Sequence, residues 1–114
     1  MKRIIAYIKP NMLDDVVFGL HTIEDFPGAT ISEVRGIGRG IHHHANGTAE
    51  KRRAFGFPVS VRLEIVCATA MAGEIVATIA REARTGLPDD GKIIVCPVDD
   101  ALRIRTGERG EQAI

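Results

Sequence analysis

The sequence predicts an α+β sandwich in the order strand, helix, strand, strand, helix, strand, and three observations carry that reading. Apolar and polar residues alternate through 59–67, with Val59, Val61, Leu63, Ile65 and Cys67 on one side and Ser60, Arg62 and Glu64 on the other. Two stretches repeat apolar residues at helical spacing: Leu13, Val16, Val17, Leu20 and Ile23, then Ala72, Ile75, Val76, Ile79, Ala80 and Ala83. Each helical stretch is flanked by extended ones, so the chain reads as two βα units with a central hairpin, the ferredoxin-like βαββαβ pattern. Its 114 residues make a single domain, 1–114. A domain of that size buries roughly 65% of its unfolded surface and folds without staples.

The elements follow in order. Residues 2–9 alternate, with Ile4, Ala6 and Ile8 on one side, and Pro10 ends the run. Asn11 is a candidate cap for the first helix, whose first turn carries Asp14 and Asp15 where the helix dipole favours acids. Pro27-Gly28 breaks that helix, and 30–37 (TISEVRGI) reads as the second strand. Residues 39–57 show neither period; so long a stretch without one is uncommon in a small domain and marks a functional loop or a disordered segment. Pro58 opens the third strand, and Thr69 is a candidate cap for a helix over 70–84. A turn at 85–92, a strand at 92–98, a short extended piece at 101–105 and a polar tail complete the chain. Ile and Val occur on both sides of several strands, so the sheet face without helices is expected to be covered by oligomerisation.

Composition excludes several classes. The formal net charge is +0, against a general nucleic-acid binder, and aromatics are 4%, against a base-stacking platform. No signal peptide or spanning apolar stretch is read, so a reduced, cytoplasmic setting is expected. The two cysteines, Cys67 and Cys96, each sit in an apolar run and read as buried thiols. No nucleophile–base pair or paired-carboxylate motif stands out; Asp99-Asp100 reads as a turn.

The stretch TGLPDDGKIIVCPVDDALRIRTGE (85–108) carries the chemistry. A flexible Gly/Pro/Asp turn ending in Lys92 can bring backbone N–H groups and a cation to a phosphate. Arg103 and Arg105, two apart in an extended segment, would point the same way and form a fork for an anion. Taken alone, each motif also fits an ordinary turn and a solvated strand face.

In order and spacing, EVRGIGR (33–39), VRLEIV (61–66), TGLPDDGK (85–92) and RIRTGE (103–108) resemble the PII family of nitrogen-regulatory signal proteins, over nearly the whole chain. The resemblance implies a non-enzymatic homotrimer with an adenine nucleotide in each cleft between subunits. ATP or ADP is the implied ligand, with AMP a further candidate and Mg a candidate companion. It implies that Thr30, Gly36, Gly38 and Arg39 lie beside the nucleotide, with Glu64 and Val66 near adenine and ribose. Asp89, Asp90, Gly91 and Lys92 would hold phosphates, and Arg103 and Arg105 would complete the pocket. It also implies that the loop 39–57 reaches a regulated protein partner, a membrane transporter or a regulatory enzyme.

The chain departs from the family's pattern at three places. The family turn is TGxxGDGK, and Asp89 stands where the third glycine would be, a carboxylate that repels a phosphate, helps hold a divalent cation or turns outward; ATP binding weaker than ADP or AMP binding is expected. The glutamine and lysine that serve 2-oxoglutarate correspond to Gly40 and Ser60, so 2-oxoglutarate is not expected as a tight ligand. The uridylylated loop tyrosine corresponds to Arg52, beside Lys51 and Arg53; the sole tyrosine is Tyr7, which argues against control by tyrosine modification.

His42, His43 and His44 give an alternative: a metal-responsive trimer, linked to metal tolerance or efflux, binding a divalent or soft metal through imidazole. Three adjacent residues in one extended segment cannot all face one ion, so that reading needs a turn or loops from other copies. A polar loop explains the tract equally, and His21 reads as structural.

Overall fold

In the computed structural model, which describes residues 1–38 and 57–114, the predicted order holds. Strand β1 (Lys2–Ile8) leads through a 3₁₀ turn at Pro10–Met12 into helix α1 (Leu13–His21) and then β2 (Thr30–Arg35). Strand β3 (Val59–Cys67), helix α2 (Thr69–Ala83), β4 (Lys92–Pro97) and a 3₁₀ turn at Gly110–Ala113 follow. The four strands form one sheet in the order β2-β3-β1-β4, with antiparallel neighbours throughout, the ferredoxin-like arrangement.

Register sorts the side chains onto two faces, because directly opposed residues share a face. Ile4 lies opposite Ile65 and Val95, and Ala6 opposite Leu63 and Ile93. That face meets the helices: Ile4, Leu63, Ile65, Leu20, Ile75 and Ile79 are fully buried there. Each such side chain stabilises the fold by about 1.5–3 kcal/mol. The two helices approach closely at Gly19, where a Cβ would stand 3.0 Å from Glu82 Cγ and 3.1 Å from Thr78 Cγ2. The other face carries Arg3, Ile5, Tyr7, Arg62, Glu64, Val66, Lys92, Ile94 and Cys96 in register, and among the described residues no helix covers it. Ile94 is 40% exposed on it.

Local details differ from expectation at several points. Asn11 caps nothing: it lies inside the 3₁₀ turn that Pro10 opens, and Met12 is the first residue flanking α1. Pro10 fixes the chain's φ and forces that tighter first turn. Thr69 is the first helical residue rather than the cap; its Oγ1 accepts from the Met1 ammonium at 3.0 Å. β2 stops at Arg35, two residues short of the expected end, because its partner strand begins at Val59 and the preceding Pro58 has no N–H to offer. The Pro58 carbonyl still accepts from Gly36 N at 3.3 Å. Cys67 is buried as expected, and burial raises its thiol pKa, but Cys96 is only half-buried because β4 is an edge strand on the uncovered face.

The extended piece at 101–105 is not extended. Leu102 bridges Arg109, Arg103 N donates to Glu108 O at 2.9 Å, and Gly107 N donates back to Arg103 O at 2.7 Å. The Thr106-Gly107 turn thus begins two residues earlier than expected and draws Ile104 and Arg105 into it, leaving Ile104 94% exposed. Among the described residues no helix is long and apolar enough to cross a membrane.

Candidate functional site

Eight of the expected site residues line two clefts, and Asp90, Arg103 and Arg105 line neither. The larger, about 820 Å³, opens where β1 and β2 end and β3 and β4 begin. Gly36, Gly38, Asp89, Gly91 and Lys92 line it, joined by Lys9, Arg35 and Ser60. The smaller, about 390 Å³, lies where β2 begins and β3 ends, and holds Thr30, Glu64 and Val66 with Gly28 and Ile114. Thr30 and Glu64 meet because they are register partners. The two clefts sit at opposite ends of the six-residue β2, roughly 16 Å apart at 3.3 Å per residue.

The turn in the larger cleft is held by Asp90. Its Oδ2 accepts from the backbone N–H of Thr85 at 2.9 Å and of Gly86 at 3.0 Å, and its Oδ1 accepts from the Thr85 hydroxyl. Lys9 Nζ, from the end of β1, reaches the same carboxylate at 3.2 Å and Thr85 Oγ1 at 3.0 Å. Leu87 N also donates to Thr85 Oγ1, at 3.2 Å. The amides at 85, 86 and 87 are therefore engaged inside the turn, and Pro88 has none; among the described residues those at 89–91 make no such bond. Asp90, expected among the phosphate-holding residues, is occupied as the brace of that loop.

The hydrogen bonds from the Thr85 side chain, then those from the Thr85 and Gly86 backbone and from Lys9, hold the Asp90 carboxyl well below its ordinary 3.8. A depressed carboxylate contributes stability that is present above its unfolded pKa and lost as pH falls through the folded value. The Asp90→Asn variant is accordingly expected to be less stable at neutral pH. It should also lose less stability than the unmodified protein on acidification from about pH 4 to about pH 2, as acid titrations followed by circular dichroism would report.

Gly91 has no alternative. Its φ is +105°, and a Cβ there would stand 1.7 Å from the Tyr7 carbonyl oxygen, so the turn rests directly on the backbone of β1. Asp89 also has a left-handed φ, +68°, a conformation that Asp tolerates better than most side chains.

In the smaller cleft, Glu64 is paired with Arg62 at 2.8 Å and lies 3.9 Å from Arg3 Nε. The bond to Glu64 raises the Arg62 pKa. Arg103 approaches this side: its Nη2 donates to Ile114 O at 3.4 Å and its Nη1 stands 3.8 Å from Glu108. Arg105 lies in the turn beyond it, so the fork argued from an extended segment does not form in that way. Asp100 is braced by Arg109 at 2.5 Å, which lowers its pKa, in a stretch after β4 that forms neither helix, strand nor turn.

The sequence reading missed Lys9 and Arg35. Lys9 meets a partner 76 residues away, and Arg35, whose Nη1 donates to Phe57 O at 2.6 Å, looks like an ordinary strand cation. Arg39, His42, His43 and His44, together with Gly40, Lys51, Arg52 and Arg53, lie outside the described residues. Among the described residues no group of three or more His, Cys, Asp or Glu could hold a metal ion.

Comparison with known proteins agrees with this architecture. The family model described as nitrogen regulatory protein P-II matches residues 1–108. Proteins named nitrogen regulatory protein P-II are similar over the full length of both chains: 42% identical in Haemophilus influenzae, 40% in Rhodospirillum rubrum and 38% in Azospirillum brasilense. A match over nearly all of the sequence, on a sheet and helix order that suits it, settles membership: the chain belongs to the nitrogen regulatory protein P-II family.

Proposed function

We propose that this protein is a non-enzymatic sensor of adenine nucleotides that acts as a homotrimer. One nucleotide would be held between the larger cleft of one copy and the smaller cleft of the next. The observation that supports this most is the division of the candidate residues into two half-sites on one uncovered sheet face. Phosphate-type groups, the 89–91 amides with Lys92, are at one end, and Thr30, Glu64 and Val66 are at the other. Neither cleft alone offers both sets. Val66, Ile94 and Cys96 on the same face give copies an apolar surface to share.

Occupancy of the cleft would act on Gly36 and Gly38, where the chain leaves β2 towards 39–57. That segment would then present a different surface to a regulated partner, a transporter or an enzyme, in the cytoplasm. Arg39 would join the nucleotide, and Mg would accompany a triphosphate.

The test is thermal unfolding with and without AMP, ADP and ATP, alongside a measurement of molar mass. A ligand at 100 times its dissociation constant adds about 2.7 kcal/mol to apparent stability. A trimer whose midpoint rises by several degrees with at least one nucleotide is expected. A monomer, or a midpoint indifferent to all three at millimolar concentration, overturns the proposal.

A further inference from the structure

Three cations line the described part of the larger cleft, Lys9, Arg35 and Lys92, and one carboxylate, Asp89. The charges do not add freely. Lys9 is paired with Asp90 at 3.2 Å, and Arg35 Nη1 is turned to the Phe57 carbonyl at 2.6 Å. At the turn itself Lys9 therefore balances Asp90, and Lys92 and Asp89 bring one charge of each sign to the cleft. The turn itself is therefore close to neutral, and Arg35, whose charge a carbonyl does not cancel, leaves the described part of the cleft with one net positive charge.

Asp89 is not an incidental surface acid. It lines the cleft, two residues from Gly91 and three from Lys92, in a left-handed conformation where a glycine would give the same backbone and no charge. Each additional phosphate brings more negative charge to this end, and like charges a few ångströms apart repel appreciably even when partly solvated. A divalent cation offsets that repulsion, since Mg²⁺ is commonly held by one or two carboxylates together with substrate phosphates.

We propose that Asp89 makes triphosphate binding in this cleft conditional on a divalent cation, whereas the mono- and diphosphate bind without one; this rests on the nucleotide reading above. Asp89 thereby sets which nucleotide the protein answers to at a given free Mg²⁺.

The experiment measures dissociation constants for AMP, ADP and ATP, by calorimetry, in EDTA and in excess Mg²⁺. It compares the unmodified protein with the Asp89→Asn and Asp89→Gly variants. Asn keeps the size and the tolerance of left-handed φ while removing the charge, and Gly removes the side chain altogether. In EDTA the unmodified protein is expected to bind ATP about tenfold or more weakly than ADP. Mg²⁺ should close that gap, and both variants should close it without Mg²⁺. ATP bound as tightly as ADP in EDTA overturns the proposal, as does a gap that survives in the Asn variant. In either of those cases, retained ADP binding leaves the nucleotide reading standing. Failure of all three proteins to bind any nucleotide removes both.

Discussion

The Gly91→Ala variant is expected to lose about 3 kcal/mol or more of stability and to melt about 10 °C or more below the unmodified protein. Two effects act together. The residue occupies φ +105°, which a side chain rarely adopts, and the added carbon would stand 1.7 Å from Tyr7 O and 2.8 Å from Tyr7 C. The colliding atoms are backbone, so no rotamer change relieves the clash. Nor can β1 yield, because it is hydrogen-bonded to β3 on one side and β4 on the other, with Tyr7 facing Arg62 and Lys92. The turn must lift away instead, breaking the start of β4 and the Lys9–Asp90 brace. Thermal denaturation followed by circular dichroism checks this directly. A variant that melts with the unmodified protein would show that the turn does not rest on β1 as described.

Lys92→Ala is expected to act on ligand binding rather than on folding. Lys92 is exposed at the first position of β4, so its truncation should change stability by no more than about 0.5 kcal/mol. A hydrogen bond to a charged group contributes about 1.5–3 kcal/mol, so its loss should weaken nucleotide binding roughly 10- to 100-fold. Arg103→Ala should weaken binding to a similar degree from the other half-site, where Arg103 neighbours Ile114 and the smaller cleft. Calorimetric titration with ADP, together with the melting curve of each variant, separates lost binding from lost folding.

How far the sequence could be read depended on the range of the interactions. β3 was legible because its alternation puts Val61, Leu63, Ile65 and Cys67 on one face, a local pattern with one solution. α2 was legible for the same reason, with Ala72, Ile75, Ile79 and Ala83 buried at helical spacing. Both caps were misread: Asn11 lies inside the 3₁₀ turn that Pro10 opens, and Thr69 is already the first helical residue, after the extended Ala68. The Arg103–Arg105 fork failed because Gly107 closes a tight turn that overrides period two. In the candidate site, Lys92, Gly91 and Asp89 were legible as residues of one turn, and all three line the larger cleft. The brace on that turn was not, because Asp90 and Lys9 lie 81 positions apart in sequence yet only 3.2 Å apart in space. Nor could composition show that the remaining residues divide between two ends of β2; that follows from register.

A mixing experiment tests the two-half-site account most directly. The Lys92→Ala chain has a damaged larger cleft and an intact smaller one, and the Arg103→Ala chain the reverse. If each site joins the larger cleft of one copy to the smaller cleft of its neighbour, refolding the two variants together in equal amounts restores unimpaired binding at about a quarter of the sites. ADP titration of that mixture should therefore show a minor class of sites with the affinity of the unmodified protein, absent from either variant alone. A mixture that binds only as the two variants do separately would place the whole site within one chain and contradict the account.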